Sequence, residues 1–377
     1  MTLQNKKLNE ALDHDHMLGH RVVVAEFAEN PIEGVEQNIK IIEQPLPDTT
    51  TLANEDVIVQ VKSASLGWVD LLMTSGQYQH MPPLPYSPGL EYSGEVIWTG
   101  SSVTLHKIGD RVLVDGFQAG PRSPGNYQQY GGFASYAVAP EKALLAIPAS
   151  FSFDQACNLL GSYETAYYCL LTCGQLLAGE TVLIHGASGA TGLAAVHIAK
   201  MMGATVIATG RSDDKLALVK EQGADHVINC KDEPKFRQLV KDLTAGKGVD
   251  VVYDAVGGEI SLESLRCVKF GARFLIVGWA STPFVAKGKG QREAPNANML
   301  PTNLIMMKGL RVMGCPTVIS SQQDPTLRPA RIKQLMHWVD EGKIQPYISH
   351  VFPLKDVKEA LLAKWHGEIL GGCVLRP

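Results

Sequence analysis

The sequence predicts an α/β protein of two domains, a barrel-like all-β unit followed by a parallel sheet flanked by helices. The chain has 377 residues, which exceeds the usual limit for a single hydrophobic core. Its first half contains short β-branched runs that are separated by turn residues. Its second half alternates continuous apolar strands with helical stretches, the pattern of a parallel sheet.

The all-β unit is predicted between residues 21 and 150. Its strands are DVIVQVKSASL, YSGEVIWTG and DRVLVDG, each bounded by Gly, Pro, Asp or Ser. The segment 116–132, GFQAGPRSPGNYQQYGG, has no regular period, so we expect an exposed loop there that acts as a lid or as a simple connector. Residues 1–20 are polar and charged, and they are expected to form a flexible extension.

The parallel sheet is predicted between residues 151 and 308. Its strands are TVLIHG, TVIATG, HVIN, VDVVYDAVG and ARFLIVGW, and helices such as GLAAVHIAKMMG and SDDKLALVKEQG lie between them. Residues 309–377 no longer alternate strictly. They either extend this sheet or return to the first domain.

Composition limits the partners and the compartment. A formal net charge of -4 gives no basic surface field for nucleic acid, and no apolar run is long enough to span a membrane. The seven cysteines are scattered and form no CxxC pair, so reduced thiols and a cytoplasmic location are expected. Cys169 and Cys173 would share one helix face, where core packing is favoured over a metal site.

The stretch TVLIHGASGATGLAAVHIAK predicts a phosphate-binding turn between a strand and a helix. Glycines at this place allow a tight turn and a close approach to a pyrophosphate, which the helix N-terminus then binds. The usual Gly-x-Gly-x-x-Gly pattern is altered, because Ala187 replaces its first glycine. The predicted cofactor-binding residues of the turn are Gly186, Ala187, Ser188, Gly189, Ala190, Thr191 and Gly192.

The end of the next strand indicates which dinucleotide is bound. An NAD site carries an acidic residue there, whereas this chain has Arg211, Ser212 and Lys215, which would attract a 2′-phosphate. NADPH is therefore the predicted cofactor. The alternative is that Arg211 and Lys215 are solvated charges at the start of a helix.

With these motifs, the chain resembles the zinc-independent medium-chain dehydrogenases/reductases, most closely the zeta-crystallin-like NADPH:quinone oxidoreductases. The resemblance extends from about Val22 to the C-terminus, and VDLLMTSGQY, SPGLEYSGEV, IGDRV, GGFASYAVAP, LGSYETAYYCLL, GADHVIN, DVVYDAVGG and NLIMMKGLRVMG carry it together with the phosphate-binding turn. It implies a GroES-like substrate domain built from the N-terminal part and the last segment, with a Rossmann domain inserted between them. Residues 309–377 would then complete the parallel sheet and return to the substrate domain. The resemblance also implies a nicotinamide in the cleft between the domains and a homodimer.

The resemblance also implies roles for individual residues. Tyr78 and Tyr163 match tyrosines that line the cleft, although a buried structural tyrosine is an equal alternative, and Asp70 matches the acid of an Asn-x-x-Asp pattern. The Asn of that pattern is replaced by Gly67, which puts the standard quinone site in doubt. Further cofactor-binding positions are Thr165, Val256, Gly278 and Trp279, of which Trp279 alternatively only covers the cofactor.

No zinc site is expected. In the zinc-dependent relatives a His stands at the position of Leu90 and a Cys near the end of the strand DVIVQVKSASL, and this chain has neither. Without a Lewis acid, the substrate must accept hydride readily, as quinones do. Alternatives are the reduction of an enoyl or alkenal double bond and, more distantly, a non-catalytic NADPH-binding or RNA-binding role.

Overall fold

The computed structural model describes residues 18–281 and 298–377. It contains two compact units, one built from residues 18–158 and 348–377 and the other from residues 159–281 and 298–347. The predicted extension of residues 1–20 lies outside the described residues up to residue 17. Its last two positions, Gly19 and His20, belong to the first strand.

Within the described residues the chain forms fifteen strands and twelve α-helices. The strands are β1 (Gly19–Val24), β2 (Ile39–Gln44), β3 (Asp56–Ser65), β4 (Glu91–Thr99), β5 (Arg111–Val114), β6 (Tyr136–Pro140), β7 (Leu144–Ala146), β8 (Thr181–Ile184), β9 (Thr205–Gly210), β10 (His226–Asn229), β11 (Val249–Asp254), β12 (Val268–Ile276), β13 (Arg311–Gly314), β14 (Ile348–Pro353) and β15 (Gly372–Arg376). The helices are α1 (Pro31–Glu33), α2 (Trp68–Met73), α3 (Phe153–Ala156), α4 (Leu160–Tyr167), α5 (Ala190–Met201), α6 (Asp213–Glu221), α7 (Arg237–Leu243), α8 (Glu259–Ser264), α9 (Thr302–Met307), α10 (Thr317–Gln323), α11 (Leu327–Asp340) and α12 (Val357–Trp365).

The first unit is organised around β3. This strand pairs antiparallel with β4, β6 and β15, so the sheet branches at β3, and the core of the unit includes Val59, Tyr92 and Phe133. The small sheet of β1 and β2 stands beside it. The three strands predicted in this half of the chain are confirmed as β3, β4 and β5.

The second unit is a six-stranded sheet in the order β10-β9-β8-β11-β12-β13, and all of its pairings are parallel. Strand β8 lies in the middle, because the chain first builds outward to β10 and then crosses back to β11. The strands of this sheet are buried on both faces. They consist mostly of buried apolar residues, such as Leu183, Ile207 and Val252. This order creates a switch point between β8 and β11, where doubly wound sheets bind their ligands.

Residues 309–377 both extend the parallel sheet and return to the first unit. Strand β13 completes the parallel sheet, and from Ile348 onward β14, β15 and α12 belong to the first unit. No helix among the described residues is both long and apolar enough to cross a membrane.

The prediction of an exposed loop at residues 116–132 is wrong for both ends of the segment. Ala119 and Ser123 are buried, and Gly132 and Phe133 donate backbone hydrogen bonds to Gly89 and Pro88. Composition alone missed these contacts, because Gly and Pro mark an irregular backbone but not its burial. The exposed residues of the segment are Pro124, Gly125, Asn126 and Gln129.

Candidate active site

The phosphate-binding turn has the predicted strand, turn and helix. Strand β8 ends at Ile184, Gly186 takes a φ of +66°, and α5 begins at Ala190 after the N-cap residue Gly189. Gly192 must be glycine, because a Cβ there would lie 2.2 Å from the carbonyl oxygen of Gly186. The first turn of α5 is therefore pressed against the loop that precedes it.

The N-terminus of α5 suits an anion. Helix α5 has 12 residues, and no side chain caps it, because its N-cap residue is a glycine. The first N–H groups of an α-helix have no partner within the helix, and the helix dipole adds positive potential there. Ser188, Gly189, Ala190 and Thr191 are half-exposed, whereas Ala187 and Gly192 are buried in the turn. These groups fit a pyrophosphate.

His185, directly before the glycine turn, is fixed by two side-chain hydrogen bonds that the sequence pattern does not predict. Its Nδ1 lies 2.8 Å from Oγ1 of Thr209 on β9, and its Nε2 lies 2.7 Å from Oγ of Ser264 on α8. Burial lowers the pKa of His185 to about 4, so the ring is neutral at neutral pH. The imidazole joins three elements directly beneath the glycine turn.

The carboxyl end of β9 carries the residues predicted to select the cofactor. Arg211 follows the strand and is exposed, Ser212 is the N-cap residue of α6, and Lys215 lies in the first turn of that helix. The Ser212 side chain makes no capping hydrogen bond to α6. Because β9 is the neighbour of β8, this basic end lies at the same sheet edge as the phosphate-binding turn.

Asp254, at the end of β11, binds the loop on the other side of the switch point. The sequence pattern does not predict this role either. Its Oδ1 accepts hydrogen bonds of 2.9 Å from the N–H groups of both Val256 and Gly257, and its Oδ2 bonds the hydroxyl of Ser261. Its backbone carbonyl accepts from Gly278 at 3.2 Å. The structure thus brings the predicted residues Val256 and Gly278 together, and the neighbouring Trp279 is half-exposed.

Helix α4, which packs on α5, carries Tyr163 and Thr165. Tyr163 is buried and its hydroxyl lies 2.6 Å from Nδ1 of His197, whose Nε2 lies 3.1 Å from Oε1 of Gln222. Burial raises the pKa of Tyr163 and lowers that of His197. The hydroxyl of Tyr163 is thus buried in a hydrogen bond, and the role of this residue in the cleft stays a prediction. Thr165 is half-buried on the same helix.

In the first unit, Asp70 braces two backbone segments. Its Oδ2 accepts from the N–H of Gly67 at 2.9 Å, and its Oδ1 accepts from the N–H groups of Gly89 and Leu90 at 3.1 Å each. Burial raises the pKa of Asp70, while these three N–H groups and the charge of Arg122 act in the opposite direction. The two oxygens of Asp70 thus accept three backbone hydrogen bonds, and its role in catalysis stays a prediction.

Tyr78 follows α2 and is half-buried against the core of the first unit. Its ring meets the ring of His80 edge-on, with the centroids 6.0 Å apart. Leu90, at the position where zinc-dependent relatives have a ligand, is buried in the same core. Among the described residues, no cluster of three or more His, Cys, Asp or Glu side chains is arranged to hold a metal ion.

Comparison with known families agrees with this architecture. A family model described as "Alcohol dehydrogenase GroES-like domain" matches residues 53–149, and one described as "Zinc-binding dehydrogenase" matches residues 190–339. Together the two matches define an oxidoreductase with a GroES-like domain and a Rossmann domain.

Individual relatives narrow this class. The chain is 37% identical to the "Quinone oxidoreductase-like protein 2 homolog" of Nematostella vectensis, over 83% of this chain and 79% of that protein. It is similar to the solved quinone oxidoreductase of Pseudomonas syringae, at 27% identity and a TM-score of 0.75 over 95% of this chain and 100% of that one. The Escherichia coli quinone oxidoreductase, solved as a complex with NADPH, has 25% identity and a TM-score of 0.75 over the same shares. The chain therefore belongs to the zinc-independent, quinone oxidoreductase-type medium-chain dehydrogenases/reductases.

Proposed function

We propose that this enzyme reduces quinones with NADPH by hydride transfer. The observation that carries the proposal concerns the carboxyl ends of the neighbouring parallel strands β8 and β9. The uncapped N-terminus of α5 follows β8, and Arg211 and Lys215 follow β9. A pyrophosphate and a 2′-phosphate together require this combination of a helix N-terminus and a basic strand end. NADPH supplies a hydride when it is bound.

The residues that would hold the cofactor follow from their places in the second unit. The turn from Gly186 to Gly192 would bind the pyrophosphate, and Arg211, Ser212 and Lys215 would bind the 2′-phosphate. Four further residues would line the remainder of the cofactor, namely Thr165, Val256, Gly278 and Trp279.

Quinones are the favoured acceptors because neither Leu90 nor the end of β3 offers a metal ligand. An acceptor that is reduced without a Lewis acid must itself withdraw electrons from the reacting centre. Tyr78 is the proposed hydrogen-bond donor to the acceptor, while Asp70 fixes the backbone around Gly67, Gly89 and Leu90. Tyr163 supports α4 and α5 through His197.

The reduction of an enoyl or alkenal double bond is the second candidate. Gly67 favours it, because this N-cap residue has no side chain and its N–H is bound by Asp70. The amide that the quinone-reducing pattern places here is missing, so the first unit offers one polar contact fewer to a quinone. An acceptor with a single carbonyl and an apolar tail would lose less from that change.

A homodimer is also proposed. Strand β13 lies at an edge of the parallel sheet, and the segments next to it expose Phe270, Met306 and Met307. An open strand edge bordered by apolar side chains favours pairing with a second copy. Sedimentation should give a dimer that Phe270→Glu weakens, and a monomer at all concentrations would contradict the proposal.

The free thiols of the seven cysteines suit the proposed cytoplasmic location.

The acceptor is tested by assaying 1,4-benzoquinone, 9,10-phenanthrenequinone, an alkenal and an acrylyl thioester side by side with NADPH. The quinones should give the highest kcat/KM. A higher kcat/KM for the alkenal or the thioester would favour the second candidate, and oxidation of NADPH with neither quinone would overturn the first.

A further inference from the structure

Asn298 of the second unit has an enclosed amide oxygen without a hydrogen-bond donor. The residue lies shortly before α9 and is half-buried. Its Nδ2 donates a hydrogen bond of 2.8 Å to Oγ of Ser261 on α8. Its Oδ1 is shielded from solvent and makes no hydrogen bond to any described residue. Enclosed acceptors of this kind are rare in proteins, because each has lost its hydration without gaining a donor.

The hydrogen bonds of Ser261 fix which way the Asn298 amide faces. A carboxylate only accepts hydrogen bonds, so the hydroxyl proton of Ser261 goes to Oδ2 of Asp254. The Ser261 oxygen then has only lone pairs to offer, and these accept from the N–H2 group of Asn298. The opposite orientation of the amide would place two oxygens together without a proton between them. Oδ1 of Asn298 therefore points away from Ser261.

The Asn298 amide lies against the loop that follows β11. Its Nδ2 is 3.7 Å from the position that a Cβ on Gly257 would occupy, and Cα of Trp279 is 3.3 Å from the same position. The N–H of Ser281 donates to the carbonyl of Val256 at 2.9 Å, so the loops after β11 and β12 run side by side. Asn298 thus lies at the carboxyl ends of β11 and β12, next to residues that are proposed to bind the cofactor.

The order of the strands indicates which half of the cofactor reaches this place. The sheet runs β9, β8, β11 and β12, so the ends of β9 and β11 lie on opposite sides of β8. In the proposed cofactor site the 2′-phosphate lies after β9 and the pyrophosphate after β8. Because the pyrophosphate joins the two nucleosides of NADPH, the nicotinamide nucleoside extends from β8 toward β11. Asn298 lies on the side of that half.

The nicotinamide nucleoside has two kinds of donor for an amide oxygen. They are the hydroxyls of its ribose and the N–H2 group of its carboxamide. A hydroxyl can also satisfy its hydrogen bonding by accepting, whereas both hydrogens of an N–H2 group need an acceptor. The carboxamide is therefore the group that gains most from Oδ1 of Asn298.

We propose that Asn298 binds the nicotinamide carboxamide, with Oδ1 accepting a hydrogen bond from its N–H2 group. This inference rests on the proposed NADPH site and adds a cofactor-binding residue to it. Asp254 and Ser261 orient Asn298 for this contact through the hydrogen bonds described above. Holding the carboxamide restricts rotation of the nicotinamide ring about its glycosidic bond.

The test compares two ligands that differ only at the proposed donor. They are NADP⁺ and its 3-acetylpyridine analogue, in which a methyl group replaces the N–H2 group of the carboxamide. In isothermal titration calorimetry the wild type should bind NADP⁺ about 3- to 10-fold more tightly than the analogue, which corresponds to one neutral hydrogen bond. Asn298→Leu should bind the two ligands equally, because leucine has no acceptor.

The preference between the two ligands is the readout, because Asn298→Leu also loses its bond to Ser261. A disturbed loop would weaken the binding of both ligands by the same factor and leave the preference unchanged. The matched control is Asn303→Leu, the same replacement at an exposed position of α9. This variant should keep the preference of the wild type.

Two results would overturn the proposal. One is a preference for NADP⁺ that survives in Asn298→Leu. The other is equal affinity of the wild type for both ligands. If the wild type binds both equally and Asn298→Leu binds both more weakly, the donor is a ribose hydroxyl and the assignment of the carboxamide fails.

A third ligand, adenosine 2′,5′-bisphosphate, separates this inference from the proposed function. It lacks the nicotinamide nucleoside, so the wild type and Asn298→Leu should bind it equally. If the wild type binds neither this ligand nor NADP⁺, the proposed cofactor site fails together with the inference. If the wild type reduces quinones and Asn298→Leu keeps the preference for NADP⁺, the proposed function stands and only the inference fails. Should Asn298→Leu not fold, as judged by circular dichroism, Asn298→Ala carries the same comparison.

Discussion

The replacement Gly192→Ala tests whether the first turn of α5 binds the cofactor phosphates. The added Cβ would lie 2.2 Å from the Gly186 carbonyl oxygen, whereas an ordinary contact is about 3.4 Å, so helix and turn must separate by about 1.2 Å. The atoms that it meets are backbone atoms of Gly186 and Ala187, which cannot rotate away. The N–H groups at the helix N-terminus would then no longer point at a single place.

The expected size of the effect follows from the bonds at risk. A hydrogen bond to a charged group contributes about 1.5–3 kcal/mol, so losing one should weaken NADPH binding by about 10- to 100-fold. Overpacking should also lower the free energy of unfolding by about 1–3 kcal/mol. Cofactor affinity is measured by isothermal titration calorimetry, and stability by urea unfolding.

Gly314→Ala is the matched control for this replacement. It adds the same methyl group to a glycine of the second unit, but nothing lies within 4 Å of the new Cβ. NADPH affinity should therefore stay close to that of the wild type. If Gly192→Ala binds NADPH within threefold of the wild type while remaining folded, the turn does not bind the phosphates as described.

Three further predictions concern the second unit. Replacing Arg211 and Lys215 together with Ala should raise the KM for NADPH by at least tenfold and spare NADH, and steady-state kinetics showing equal changes would contradict their role. The low pKa of His185, about 4 against an ordinary 6.5, means that the unfolded chain takes up the proton first as the pH falls. Stability should therefore decline between about pH 6.5 and 4 by about 3 kcal/mol in urea unfolding, and His185→Gln should lose that part of the decline. In the buried ion pair of Glu164 and Arg328, Oε1 of Glu164 lies 2.8 Å from Nε of Arg328. Glu164→Gln should lower the free energy of unfolding by about 3–5 kcal/mol, because the buried guanidinium loses its carboxylate. A loss below about 1 kcal/mol would refute this.

The sequence was sufficient for the fold because each signal in it is local. Continuous apolar runs predict the strands of the parallel sheet, and the glycines after Ile184 predict the turn before α5. Arg211 is found at the strand end for the same reason, since its distance from the glycine turn along the chain is set by one helix and one strand.

The residues that hold the phosphate-binding turn and the backbone of the first unit in place could not be predicted, because their hydrogen-bond partners are distant in sequence. His185 contacts Ser264, which is 79 residues away, and Asp70 contacts Leu90 through a backbone N–H group that has no sequence signature. The match to the family predicts that Tyr163 lines the cleft, and its contact with His197, 34 residues away, has no signal in the sequence. Arg122 lies in a segment whose Gly and Pro content indicates a loop but not which side chains it encloses.

Metal-independent quinone reduction with NADPH is tested by kcat/KM for 1,4-benzoquinone, measured with NADPH and with NADH on enzyme dialysed against a metal chelator. We expect full activity after chelation, one hydroquinone formed per NADPH oxidised, and at least a tenfold preference for NADPH. Activity that is lost with the metal, or equal rates with NADH, would contradict it.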